Sequence, residues 1–222
     1  MQQPQHKGFF LCLEGIDGGG KTTLREWIVE WFKNQGIVPV VTREPGGTPV
    51  AEKIRGLLLS DRQEDISPIA ETHLFMAARG THLANVILPN IQKGAVVVSD
   101  RFCDSTFCYQ GAGRGLSVEL LRDMHELSFG ECYPDLTFVL DGRPEVFRAR
   151  MAERGESALN HFDTMGESFH TASRALYRQF AEQYPERYVL IDAEQPPEQV
   201  FAQVIPYLMQ IETHMRKRPV IE

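Results

Sequence analysis

Short, continuously apolar runs alternate with longer runs in which apolar residues recur at three- and four-residue spacing. Phe9–Glu14, Ile37–Thr42, Ala95–Ser99, Leu136–Leu140 and Tyr188–Ile191 predict five strands. Between and after them, Lys21–Gln35, Ala51–Leu59, Pro68–Leu88, Val118–Phe129, Pro144–Arg154, Ser168–Gln183 and Glu198–His214 predict helices. The first helix carries Leu24, Trp27, Ile28 and Trp31 at i, i+3, i+4 and i+7 and stops at Gly36. The third has Ser67 as its cap and Pro68 at its first position. Strand–helix alternation with apolar strands implies an α/β fold: a five-stranded parallel sheet covered on both faces. Repeats and low-complexity linkers are absent, so residues 1–222 read as a single domain. The basic tail MRKRPVIE reads as a solvated end.

Composition narrows the function classes. The 222 residues, 42% hydrophobic and 24% charged, suffice for one full core. The net charge of −7 argues against a nonspecific nucleic-acid binder, which would be basic. No apolar run nears the roughly 20 residues that span a bilayer, so no membrane partner is expected. MQQPQHKG lacks the charged start and apolar stretch of a signal peptide, and the expected location is cytoplasmic. The four cysteines, Cys12, Cys103, Cys108 and Cys132, show neither zinc nor disulfide spacing and read as reduced thiols.

The chemistry starts at Gly15-Ile16-Asp17-Gly18-Gly19-Gly20-Lys21-Thr22, which fits G-x-x-x-x-G-K-[ST] between a predicted strand and a predicted helix. Glycines let successive N–H groups turn inward on a phosphate chain, and the helix N-terminus adds partial positive charge. Lys21 can reach the outer phosphates and the Thr22 hydroxyl can hold Mg²⁺. Asp100, closing the third strand, could serve near the metal. A guanine-reading NKxD is lacking, so ATP is the expected nucleotide. Three further stretches collect chemistry on the acceptor side. Thr42–Thr48, TREPGGT, follows the second strand, where an α/β sheet places ligands. There Arg43, with Arg55 beyond, could meet an anion, although TREPGGT alone reads equally as a surface turn. The stretch 100–115, DRFCDSTFCYQGAGRG, reads as a loop crowded with charge, hydroxyls, Tyr109 and Gln110. Phe75 and Arg79 share one helix face, able to stack a flat ring and bond its edge.

Together, EGIDGGGKTT, TREPGGT, AEKIRGLLL, LFMAARG, DRFCDST-CYQGAGRG, PDLTFVLD and PEVFRARMAERGE resemble the thymidylate kinase family, in its order and over nearly the whole chain. The resemblance implies phosphorylation of dTMP to dTDP with Mg-ATP by a homodimer. It implies an ATP site of Gly15 to Thr23, with Lys21, Asp17, Arg101 and Arg154 catalytic and Thr22 and Asp100 at the metal. It also implies a dTMP site. Asp17 meets the sugar 3′-hydroxyl, and Arg101 with Arg43 or Arg55 holds the phosphate. Phe75 stacks on thymine while Arg79 and Thr106 read its edge. Tyr109 sits where a 2′-hydroxyl would clash. Glu44, Pro45, Ser105, Gln110 and Tyr177 complete the pocket. Gly18 stands where some relatives carry a P-loop arginine, and Arg154 matches the alternative, an arginine on a lid over about residues 154–166. The text departs from the family there: Asn160-His161-Phe162-Asp163 replaces D-R-[FI]-E, and Ala172 replaces an arginine ahead of Arg174 and Tyr177. The alternatives are a P-loop kinase for another deoxynucleotide or nucleoside, and an ATP-binding protein whose altered lid has lost transfer activity.

Overall fold

A computed structural model describes residues 8–59, 64–153, 162 and 165–217. Five strands form one parallel sheet: β1 (Phe9–Glu14), β2 (Val40–Arg43), β3 (Val96–Asp100), β4 (Leu136–Asp141) and β5 (Tyr188–Asp192), in the order β2-β3-β1-β4-β5. β1 is central, with Leu11 level with Val98 on one side and Leu136 on the other. β1, β3 and β4 are buried almost throughout because helices cover both faces, which is why their sequences are apolar without alternation. β2, at an edge, starts three residues later than the pattern predicts. Pro39 has no N–H to give a ladder, so pairing begins at Val40.

The helices follow the apolar periodicity. α1 (Lys21–Asn34) buries Leu24, Ile28 and Phe32 against the sheet. Trp27 sits on its flank, edge-on to Phe201 of α9 (Pro197–Arg216). Gly36, at φ 77°, ends α1 as expected. α2 (Pro49–Leu59) packs on α3 (Pro68–His82), where the Ser67 hydroxyl accepts from the Ala70 N–H. α3 does not stop at Leu88. It widens into a π-helical turn over Leu83–Ile87 and runs on as α4 (Leu88–Gln92), because Pro89 has no N–H for the carbonyl one turn back. α6 (Val118–Phe129), α7 (Pro144–Glu153) and α8 (Glu167–Gln183) match the pattern to within a residue.

One expectation is corrected. Residues 103–113, within the stretch read as a loop, are helical: α5 (Cys103–Thr106) passes directly into a π-helical segment, Phe107–Gly113. Two glycines and several short polar side chains hide the helix, but Cys103 and Phe107 are an i, i+4 pair buried in the core. This helix is pinned from behind by His125 of α6. The His125 ring lies edge-on to Phe102 and Phe107 and 5.0 Å from Tyr133. Its Nε2 donates to the Cys132 carbonyl at 3.0 Å, and its Nδ1 is buried without a partner.

Burial first, and then the Arg79 charge, push the His125 pKa down from 6.5 to about 4. The unfolded chain therefore takes up this proton before the native protein does. Stability is whole above pH 6.5 and falls as the pH drops toward 4, by about 3 kcal/mol at most. In urea titrations at pH 7 and pH 4.5, His125→Gln should lose less stability on acidification than the wild type by about 1 kcal/mol or more. Equal losses would show that His125 does not carry the acid limb.

Candidate active site

Strand order reverses direction around β1, and the loop leaving β1 is the glycine-rich one; a crevice at such a switch point is where open α/β sheets bind ligands. The loop folds back on itself. Lys21 Nζ donates to the Gly15 and Ile16 carbonyls, both at 3.0 Å, and lies 3.8 Å from Asp17. Burial, and then repulsion from Arg101, lower the Lys21 pKa. Gly18 has φ +85°, and a Cβ there would sit 2.5 Å from the Phe147 carbonyl oxygen of α7, so only glycine lets the loop lie against that helix.

Arg101, the first residue after β3, has a left-handed backbone at φ 72°, alone in this among the described non-glycine residues. Strain of this kind costs on the order of 1–3 kcal/mol and persists where surroundings over-determine it. Here the guanidinium donates to Asp17 Oδ1 at 2.7 Å, the Ser105 hydroxyl at 2.9 Å and the Tyr109 hydroxyl at 3.0 Å, and stacks over the Tyr109 ring. Tyr109 in turn donates to Asp17 Oδ2 at 2.8 Å. Burial works to raise the Asp17 pKa, but Arg101, Lys21 and Tyr109 outweigh it and hold the carboxyl well below its usual range. Beneath lies Glu14, fully buried, accepting from the Phe102 and Ser105 N–H groups and from the Ser105 and Tyr177 hydroxyls. Burial and the nearby Asp104 carboxyl raise the Glu14 pKa, against the pull of Arg101, Tyr177 and Ser105.

Two cavities meet at this cluster, and a third lies across the glycine loop. One, of about 220 Å³, is lined by Asp17, Lys21, Thr22, Arg43, Arg55, Asp100 and Arg101, a concentration of cations in an acidic protein. Arg43 is held by Glu52, Arg55 by the Pro45 carbonyl and Asp100 by Arg25 at 3.6 Å. The second, of about 100 Å³, lies between α3 and the 103–113 helix, with Phe75, Arg79, Thr106, Tyr109, Gln110 and Phe162 on its walls. Arg79 is almost wholly buried. Its Nε donates to Glu44 Oε2 at 2.8 Å and its Nη2 to the Thr106 hydroxyl at 2.9 Å. Glu44 also pairs with His82, whose other nitrogen meets the Thr42 hydroxyl at 2.6 Å. The third, of about 370 Å³, lies on the far side of the glycine loop, against Trp27, Arg150 and the 193–197 turn after β5. Arg150 donates to the Ala193 and Glu194 carbonyls at 2.6 and 3.0 Å and stacks on Phe147.

A family model described as thymidylate kinase matches residues 13–204. The chain belongs to the thymidylate kinase family. It is 49% identical over 189 residues to the thymidylate kinase of Pseudomonas entomophila (strain L48), covering 85% of this chain and 89% of that one. Over 191 residues it is 48% identical to that of Pseudomonas putida (strain W619), covering 86% and 91%. The crystal structure of thymidylate kinase from Ehrlichia chaffeensis aligns with a TM-score of 0.73 at 30% identity, over 91% and 98% of the two chains.

Most residues singled out from the thymidylate kinase resemblance line these cavities. Asp17 and Arg101 join the first two, while Glu44, Pro45, Phe75, Arg79, Ser105, Thr106, Tyr109 and Gln110 face the second. Gly15 and Ile16 lie behind the loop, where their carbonyls receive Lys21. Tyr177 lies outside the walls of these cavities and bonds Ser105 and Glu14 from below. Arg154, Asn160, His161 and Asp163 lie outside the described residues, as does most of the expected lid. Arg174 forms a paired contact with Asp141 at the end of β4. Sequence reasoning missed Glu14, Glu71, His82, Arg150, Phe162 and the 193–197 turn. For the turn a signal existed, because it follows a strand at the same sheet edge as the glycine loop.

The loop's tolerance is testable. Gly18→Ala must both adopt a left-handed conformation and displace the Phe147 backbone, whereas Gly20, at φ +87°, has open space around it. Gly20→Ala should cost about 1–2 kcal/mol by thermal unfolding and Gly18→Ala clearly more. Equal costs would mean that α7 does not constrain the loop.

Proposed function

We propose that this chain transfers the terminal phosphoryl group of ATP to dTMP, giving dTDP and ADP, as a cytoplasmic homodimer. The observation that carries this reading is the Asp17–Arg101–Tyr109 cluster, which joins a cation-lined cavity at the glycine loop to a cavity able to stack and edge-bond a flat ring.

On the donor side, the triphosphate follows the N–H groups of Gly18 to Thr23, and Lys21 leaves the loop carbonyls for the outer phosphates. The adenine enters the cavity beside Arg150, whose guanidinium is already fixed in plane by two carbonyls. On the acceptor side, Phe75 stacks on the base, Arg79 and Thr106 meet its edge, and Tyr109 closes the space of a 2′-hydroxyl. Asp17 orients the 3′-hydroxyl. Arg101, with Arg43 or Arg55, holds the acceptor phosphate and lowers the repulsion its oxygen meets as it approaches the γ-phosphorus. Phosphoryl transfer needs positioned positive charge more than covalent help, and these residues supply it. Mg²⁺ suits the site: the Thr22 hydroxyl and Asp100 carboxylate are hard oxygen donors facing one cavity, and no cluster of three acidic or imidazole groups competes among the described residues. When bound, it would neutralise charge on the phosphates. For the homodimer, support comes from Leu120 and Leu127 of α6, apolar and exposed one above the other. No described helix is long and apolar enough to cross a membrane.

A coupled assay with ATP against dTMP, dCMP, dAMP and UMP tests the reading; dTMP should dominate, and equal rates on all four would refute it. Arg79→Ala should reduce kcat/KM for dTMP by on the order of a hundredfold and leave the KM for ATP nearly unchanged.

The charges near the transferred group separate in a second set of variants. Lys21→Ala should lower kcat by on the order of 10²-fold or more. Arg154→Ala should lose on the order of 10³-fold in kcat with little change in Tm, as the lid arginine that Gly18 leaves the loop in need of. Arg150→Ala should mainly raise the KM for ATP, and Arg148→Ala should change little. A kcat loss centred on Arg150 would move the lid arginine into α7; a loss at none of the three would exclude a catalytic lid.

A further inference from the structure

Glu71, Phe75 and Arg79 lie at i, i+4 and i+8 on α3 and form one stripe facing the 103–113 helix. Glu71 is fully buried, and Arg114 reaches its Oε1 at 3.4 Å. Its Oε2 receives the Gln110 Nε2 donor at 3.1 Å. Gln110 lines the base cavity and is itself fully buried, and its Oε1 has no partner. A primary amide can point either end at a neighbour, but a carboxylate offers only acceptors. Facing Glu71, the Gln110 amide must present its NH₂ end; the reverse would set oxygen against oxygen and strand two buried donors. Its carbonyl is thereby left to the cavity.

We propose that Glu71 is a specificity-determining positioning residue: it locks the Gln110 amide so that the cavity offers an acceptor, which selects bases carrying an imide N–H. This deepens the proposed function and rests on its reading of this cavity as the acceptor's base site. Arg79 supplies donors on the same wall, so the cavity complements a ring carbonyl beside a ring N–H. Thymine and uracil have that edge. Cytosine places an amino group where Arg79 needs an acceptor and a bare nitrogen lone pair opposite the Gln110 carbonyl. The Gln110 amide is buried, so water does not relieve the mismatch. Glu71 does not touch the base; it acts through Gln110.

The test measures kcat and KM for dTMP and dCMP with ATP, in the wild type, Glu71→Gln and Gln110→Met. Glu71→Gln is isosteric, yet its amide can donate or accept, so the Gln110 amide is free to turn over. The dTMP-over-dCMP ratio of kcat/KM should then fall about ten- to a hundredfold, through the KM values, while kcat for dTMP stays near that of the wild type. Gln110→Met, which removes both ends of the amide, should lower the ratio by a similar factor. A folded Glu71→Gln enzyme, judged by its Tm, that keeps the wild-type ratio overturns the proposal. Should Glu71→Gln not fold, Gln110→Met decides: an unchanged ratio overturns the proposal and a collapsed one supports it. A wild type inactive on dTMP would instead refute the reading of the cavity, and this inference with it.

Discussion

The active-site architecture hangs on one strained residue. Arg101 holds a left-handed backbone just after β3, and it is kept there by groups from two separate parts of the chain: Glu14 and Asp17, at the end of β1 and in the glycine loop, and Ser105 and Tyr109 of the following helix. Turned inward, its guanidinium lines both the cation-lined cavity and the cavity beside α3. The strain is offset by charge-assisted hydrogen bonds of 2.7–3.0 Å that are partly shielded from water.

The same economy of pairing explains how an acidic protein gathers cations. Each cation at the crevice has a resident acceptor: Lys21 has the loop carbonyls, Arg43 has Glu52, Arg55 has the Pro45 carbonyl and Arg79 has Glu44. These acceptors fix the cations in place and spare most of them the cost of an unpaired buried charge. Among the acceptors around the crevice, Glu44 and Glu14 are deeply buried, while Glu52 is exposed. Positions that read as substrate contacts and those that read as framework thus differ in depth more than in chemistry. Tyr177 and Ser105 make the point, since both bond Glu14 but only Ser105 also faces the cavity.

Residues 107–113, π-helical in geometry, form the wall of the pocket opposite α3. Thr106, Tyr109 and Gln110 all reach one cavity while Cys108 stays in the core. An ordinary α-helix would bring side chains to one face only at three- and four-residue intervals. Thr106, Tyr109 and Gln110 keep those intervals, at i, i+3 and i+4, so one face of the 103–113 helix carries all three into the pocket, while Phe107 packs behind it on His125.

Much of this was legible in the sequence. The apolar runs of β1, β3 and β4 have no stable place except in the middle of a covered sheet, and the spacing of Leu24 and Ile28 can be satisfied only by a helix laid on it. Gly15 to Thr22 between such a strand and such a helix names phosphate chemistry by local geometry alone, and the order of TREPGGT, LFMAARG and DRFCDST names the family. What the sequence could not determine was which side chains support which. Tyr177 reaches Glu14 across 163 positions, Arg101 reaches Asp17 across 84, and Gln110 reaches Glu71 across 39. Such pairs leave no trace in spacing or periodicity, because they depend on how far the sheet twists and how closely α3, α8 and the 103–113 helix pack. Local patterns specify elements through short-range sterics and burial; the orientation of an amide or the strain of a single arginine is decided only once those elements have been brought together.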